Sequence, residues 1–292
     1  MKKKGKIPGR YHKTLKEQVR ENPRLAAVYV ILRVLVVLAL VAQVFNGNFE
    51  NVFLCVLTLI LFTIPSFIER TIRIDIPDTL EIIILLFIFA AEILGEIQAY
   101  YVQFPYWDTM LHTLNGFLCA AIGFSLLDIL NRDERLAFKL SPVYLAVVAF
   151  CFSMTIGVLW EFFECFMDQM LLLDMQKDTI VHSIGSVMLD PAGGNTPVAI
   201  HDITDVIVVT ADGAQHPLGL GGYLDIGLLD TMKDLFVNFV GAVIFSIIGY
   251  FYVKKRGEGR FAKKFIPTRK KAEADFLEIA KKKEKEKLTE KN

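Results

Sequence analysis

The stretch Trp160-Glu161-Phe162-Phe163-Glu164-Cys165-Phe166-Met167-Asp168 carries three carboxylates inside sequence apolar enough to cross a bilayer. At about 100° per residue, Glu161, Glu164 and Asp168 share one helical face, with Phe162, Phe163 and Phe166 around the rest. A charge in hydrocarbon costs roughly 2.5–3.5 kcal/mol at a helix centre, so the stripe needs a partner or a water-filled cavity. Three other stretches carry polar groups at helical spacing. Asp108, His112 and Asn115 open one apolar block, Asp230, Asp234 and Asn238 open another, and Glu92 and Glu96 close a third.

If helices bring these groups to one depth, their carboxylates cannot all stay ionised without protons or a cation. Four helices aiming carboxylates and a histidine inward have the logic of a bundle metal site. Oxygen-rich ligation with one imidazole suits a divalent cation, Mg²⁺, Mn²⁺, Ca²⁺ or Zn²⁺. The expected metal residues are Asp108, His112, Glu161, Glu164, Asp230 and Asp234, with Glu92, Glu96, Asn115, Asp168 and Asn238 supporting them. In a hydrolytic site, Glu161 or His112 would be the catalytic base. No nucleotide cofactor is indicated. A plainer account makes each acid a solvated helix end, and the macrodipole favours Asp108, Asp230 and Asp234 at helix N-termini. It does not cover Glu161, Glu164 and Asp168, which close a helix.

The elements that must position these residues follow from composition. The chain is 53% hydrophobic, its mean hydropathy is +0.43, and its apolar residues come in blocks near 25–46, 50–68, 76–97, 109–130, 142–169 and 228–253. Each approaches the ~20 residues that span a bilayer. The expected fold is all-α, a six-span transmembrane helical bundle whose 170–227 extracytoplasmic loop carries a small β-hairpin. Residues 1–24 form a basic tail, 25–253 the membrane domain and 254–292 a second basic tail. Asn22-Pro23 is an N-cap and N1 pair for the first span, which exceeds a signal-peptide core and reads as retained.

The formal net charge of zero conceals an asymmetry. With alternating spans, one side holds 30 Lys/Arg and 16 Asp/Glu, and the other holds Lys177 and Lys233 against 16 acids. The positive-inside rule puts both termini in the cytoplasm and the 170–227 loop outside.

Basic residues in the tails read as topology signals and adhesion to an anionic leaflet; no aromatic-interleaved motif accompanies them, so nucleic acid is not an expected partner. Residues 268–291 suit a charged helix with Phe276, Leu277 and Ile279 as its apolar support. Arg33, deep in the first span, is expected to snorkel or to pair with an acid such as Glu81. Asn46-Gly47-Asn48 makes a turn between spans one and two, and residues 100–107 an interfacial aromatic belt. Val206–Ala214 reads as a strand entering an Asp-Gly turn. His182, His201 and His216 lack ligand-like spacing and read as exposed loop histidines. Cys55, Cys119, Cys151 and Cys165 all fall in predicted spans and read as buried structural thiols.

Asp108-x-x-x-His112 opening a span, Trp160-Glu161-x-x-Glu164 closing another, and Asp230-x-x-x-Asp234-x-x-x-Asn238-x-x-Gly241 opening a third resemble the YjdF-like branch of the VanZ-like membrane proteins over roughly 76–253. The resemblance implies a multi-pass protein of the bacterial plasma membrane. This chain departs from the branch in a long insertion after Asp174–Asp178. Three functions fit the residues. One is an outward-facing carboxylate and histidine site that binds a cation, and through it carries or binds an envelope amphiphile. The second is a metal-dependent membrane hydrolase of a lipid-linked substrate, although that side has no arginine to grip phosphate. The third is a structural or partner-binding membrane protein. Membrane lipid, a cation or a small amphiphile are the expected partners.

Overall fold

A computed structural model of the protein describes residues 22–72, 74–131, 140–255 and 261–269. The basic tail up to residue 21, the loop 132–139 and the tail from 270, with the helix expected around Phe276, Leu277 and Ile279, lie outside the described residues.

Among the described residues, five helical runs are long and apolar enough to cross a membrane: Pro23–Phe45, Phe49–Glu69, Trp107–Asn131, Pro142–Leu171 and Leu228–Lys254. α1 (Pro23–Phe45) starts on Pro23. The Asn22 side chain does not cap it; its Nδ2 donates instead to Asp78 Oδ1 at 2.9 Å, tying the start of α1 to the start of a later helix. At Gly47, φ is +69°, a left-handed turn that glycine adopts without cost. The next run is two pieces, α2 (Phe49–Leu61) and α3 (Ile64–Ile72). Pro65 cannot donate to the turn before it, and the join closes with an i→i+3 bond, Thr63 N to Ile60 O at 2.9 Å.

The block expected at 76–97 is not one α-helix. After β1 (Ile74–Asp75), α4 (Asp78–Phe89) passes into eight residues of π-helix, Ala90–Ile97, which closes with an i→i+5 bond from Gln98 N to Ile93 O at 3.0 Å. Glu92 and Glu96 lie on this wider coil. The chain then turns through Ala99 in the left-handed region (φ 54°) into the short helix α5 (Tyr100–Gln103).

α6 (Trp107–Asn131), α7 (Pro142–Leu171) and α8 (Leu228–Lys254) form the tightest part of the molecule. Lipid tails offer no hydrophobic drive for helices to associate, so small residues that permit backbone approach do the work. A Cβ on Gly241 would lie 2.0 Å from Thr113 O, and one on Gly116 would lie 2.0 Å from Asn238 O. α6 and α8 therefore touch backbone to backbone. Ser153 of α7 joins them by donating to Gly116 O at 2.7 Å. Below this crossing, Phe117, Phe124 and Phe245 meet edge to face. Phe265 and Ile266, from the chain after α8, are buried in the same core, and β8 (Thr268–Arg269) pairs antiparallel with β1. A smaller core joins α1, α2 and α4 through Val36, Cys55, Phe62 and Leu85.

Between α7 and α8 the chain makes three small antiparallel ladders, so the fold is mostly helical with strand pairs rather than all-α. β2 (Thr179–Val181) pairs with β7 (Tyr223–Asp225), β3 (Ile184–Ser186) with β4 (Val198–Ile200), and β5 (Ile207–Val209) with β6 (Gln215–Pro217). The β2–β7 pairing draws the two ends of the loop together and sets Gly227 (φ +89°) against Gln176.

One expectation needs correction. Cys151 and Cys165 are exposed on the outside of α7, whereas Cys55 is buried and Cys119 half-buried. In a span, a thiol facing lipid is already in an apolar medium, so predicted membrane depth does not imply burial within protein. Arg33 lies over the Tyr29 ring, 5.1 Å from its centroid, and it is Tyr29 that donates to Glu81 Oε1 at 2.6 Å. The phenol stands between the two charges.

Candidate functional site

The helix crossing fixes a polar layer first. Asn238 is 1% exposed and its amide fills the space left by Gly157, where a Cβ would lie 2.6 Å from Nδ2. Asn115 Nδ2 donates to Asn238 Oδ1 at 3.2 Å. These two amides floor the site and pin α6 against α8.

One and two turns nearer the loop, the same three helices deliver charged groups. His112 of α6 sits at the centre. Its Nε2 is 3.3 Å from Asp108 Oδ1 and 4.0 Å from Asp234 Oδ2, and its Nδ1 is 3.7 Å from Glu161 Oε1. Each ring nitrogen thus faces its own set of carboxylates. Two groups of three have ligand atoms within 4.8 Å of one another: Asp108, His112 and Asp234 on one side, His112, Glu161 and Glu164 on the other. Cis ligands around a cation bound at about 2.1 Å stand roughly 3.0–3.4 Å apart.

The two sides differ in what already neutralises them. Lys233 Nζ lies 2.6 Å from Asp230 Oδ1, 3.2 Å from Asp108 Oδ2 and 3.7 Å from Asp234 Oδ1. The Asp108 and Asp234 side therefore holds an ammonium of the chain itself. On the other side, Glu161 is 4% and Glu164 8% exposed. Glu164 Oε1 accepts from Trp160 Nε1 at 2.7 Å, whereas Glu161 Oε2 is buried with no hydrogen-bond partner among the described residues. An unsatisfied buried carboxylate oxygen is costly and calls for a reason.

Of the other expected residues, Asp230 is spoken for at both oxygens: Oδ1 holds Lys233, and Oδ2 accepts from Lys177 N at 2.9 Å. Asp168 folds the loop. Its two oxygens accept from Met175 N at 2.7 Å and Gln176 N at 2.8 Å. Glu92 and Glu96 border the cluster from the π-helix, next to Tyr101. His182, His201 and His216 are exposed in the loop, His182 near Ile203 O and His201 near Ser183 Oγ.

Two members were missed in the sequence. In the sequence Lys233 counts among the two positive charges of its side and, with Lys177, as a substitute for an arginine that would grip phosphate; its spacing from Asp230 (i, i+3) is the signal that it folds back on the acids. In the sequence Tyr101 belongs to the aromatic belt at 100–107. Its ring lies on Gly95, where a Cβ would sit 2.3 Å from Cε2. Burial, with Glu96, Asp108, Glu92 and Glu164 nearby, pushes its hydroxyl well above the usual phenol range. That phenol stays protonated and available as a donor. Only the left-handed turn at Ala99 brings it there, and nothing local in the sequence announces such a turn.

Residues 27–196 match the family described as "Predicted membrane protein (DUF2238)". The match takes in α1 to α7, including Asp108, His112, Glu161 and Glu164, and ends before α8. It supports multi-pass membrane residence and does not single out the YjdF-like branch of the VanZ-like proteins. No curated protein and no solved structure matches the chain.

Proposed function

Because the chain belongs to this family of predicted membrane proteins, we propose that it is a multi-pass membrane protein that binds one divalent cation through His112 Nδ1, Glu161 and Glu164. Asp108 then orients the imidazole from behind, as carboxylates do for metal-bound histidines. Two carboxylates and a dication are nearly neutral together, which answers the cost of placing Glu161 and Glu164 at membrane depth. The observation that carries this reading is Glu161 Oε2, buried and without a hydrogen-bond partner among the described residues, beside a second buried carboxylate and an imidazole nitrogen. A carboxylate and imidazole set of this kind suits Mn²⁺ or Zn²⁺ better than an all-oxygen cage ion.

The wider setting of the proposal is a six-span bundle. α4 and the π-helix count together as the third span, since Asp78–Ile97 is helical throughout and about 30 Å long at roughly 1.5 Å per residue. The charge asymmetry orients both termini to the cytoplasm and the site to the exterior. An envelope amphiphile reaches the ion from the lipid side of α7, where Trp160 and Phe163 are exposed with ring centroids 5.4 Å apart and Trp160 holds Glu164. Metal content of protein purified in detergent and dialysed against Mn²⁺ tests the reading. About one ion per chain is expected in the wild type and a loss of at least ten-fold in affinity for Glu161→Gln. Equal, near-zero metal in both would end the proposal.

A further inference from the structure

Resting on the cation site just described, we infer that Lys233 is a tethered cation filling a second cation subsite built from the carboxylates of Asp108, Asp230 and Asp234 behind the His112 ring, and that its ammonium limits the protein to one divalent ion. Both candidate ligand groups share the His112 ring, one at each nitrogen. They are chemically alike, yet only one contains a lysine. Lys233 Nζ stands within 4 Å of three carboxylates, those of Asp108, Asp230 and Asp234. Asp234 is 1% exposed, and its Oδ1 has no hydrogen-bond partner among the described residues; it faces the ammonium at 3.7 Å. An oxygen so buried and so loosely engaged belongs to a cavity that a cation completes.

The lysine is suited to the part. It is 43% exposed in its side chain while its three partners are 1–17% exposed. The ammonium therefore closes the subsite on the loop side and is the one member that can swing out without unpacking a helix. Asp230, one turn earlier on α8, is held by Lys177 N and keeps the stem in place. With the ammonium gone, the carboxylates of Asp108, Asp230 and Asp234 remain, while His112, bound to the first ion through Nδ1, keeps its proton on Nε2 for Asp108. That donor set takes a second divalent ion or a primary ammonium ligand.

Mn²⁺ is the probe. Full-length protein in detergent is dialysed against Mn²⁺, and bound metal per chain is read together with the electron paramagnetic resonance line shape. The expected counts are one for the wild type, two for Lys233→Met, none for Glu161→Gln and one for the double variant Glu161→Gln, Lys233→Met. The Lys233→Met spectrum is dipolar-broadened, because its two ions flank one imidazole. Acetylating already folded wild-type protein, which removes the Lys233 charge along with those of the other lysines, also gives two, and this does not depend on a variant folding; acetylated Lys233→Arg protein stays at one. One ion in wild type, in Lys233→Met and in the acetylated protein overturns the second subsite and leaves the first intact. No ion in wild type overturns the first reading instead.

Discussion

Replacing Gly241 with alanine tests whether the α6–α8 crossing positions the site. The added Cβ would meet Thr113 O at 2.0 Å and Phe117 N at 2.8 Å, both main-chain atoms that cannot rotate away. Ordinary contact needs about 3.4 Å, so the helices must part by roughly 1–1.4 Å in a close-packed interface. Overpacking of this size costs about 1–3 kcal/mol, or roughly 2–5 °C in unfolding temperature for a chain of this length. Asp234 lies two turns along α8 from Gly241, about 10 Å away. Its 4.0 Å approach to His112 opens by a similar amount, and cation affinity falls about ten-fold as the groups behind the imidazole shift. Thermal unfolding in detergent and a Mn²⁺ titration read the two effects. Gly185→Ala is the control, because nothing lies within 4 Å of a Cβ there, and its effect stays within about 0.5 kcal/mol. If Gly241→Ala unfolds at the wild-type temperature and binds Mn²⁺ with wild-type affinity, the helices do not set the site in the way argued.

Asn238→Ala removes the acceptor of Asn115 at the floor of the site and empties the space against Gly157; a loss of about 1–3 kcal/mol is expected from chemical unfolding. Asp168→Ala leaves Met175 N and Gln176 N without their acceptor. Amide exchange across 174–178 should speed up while Mn²⁺ stoichiometry holds, and a lost ion would instead make Asp168 a ligand. Burial, with Asp174, Asp168 and Asp225 nearby, raises the Asp178 carboxyl above its ordinary range. A raised carboxyl binds its proton more tightly when folded, so it detracts from stability only once ionised, as pH rises through the folded value. Asp178→Asn should therefore raise the unfolding temperature slightly at pH 7 and leave it unchanged near pH 3. A gain that is the same at both values would show that charge is not the cause.

Much of the site was legible because helical periodicity is local. Asp108 with His112, Glu161 with Glu164, and Asp230 with Asp234 are each fixed on one face by 3.6 residues per turn, whatever the surroundings. Block length and hydropathy likewise announced a multi-pass membrane protein. The π-helix at Ala90–Ile97 and the left-handed Ala99 were not legible. Both are choices of hydrogen-bond register that neighbouring segments impose, and the residues there suit an ordinary α-helix equally well. The same holds for the strand pairs β2–β7 and β1–β8, whose partners are far apart in sequence and too short to show alternation.

The sequence by itself determined which residues carry charge at membrane depth and which of them share a helical face, since both depend on composition and on the geometry of a single helix. Tertiary structure alone decided how those faces meet. Backbone contact at Gly116 and Gly241 brings α6 and α8 close enough for one imidazole to be flanked by carboxylates on both sides. That proximity gives Lys233 three acids to neutralise and leaves Glu161 Oε2 buried without a hydrogen-bond partner among the described residues. Distances between helices govern both outcomes, and periodicity along a chain contains no information about them.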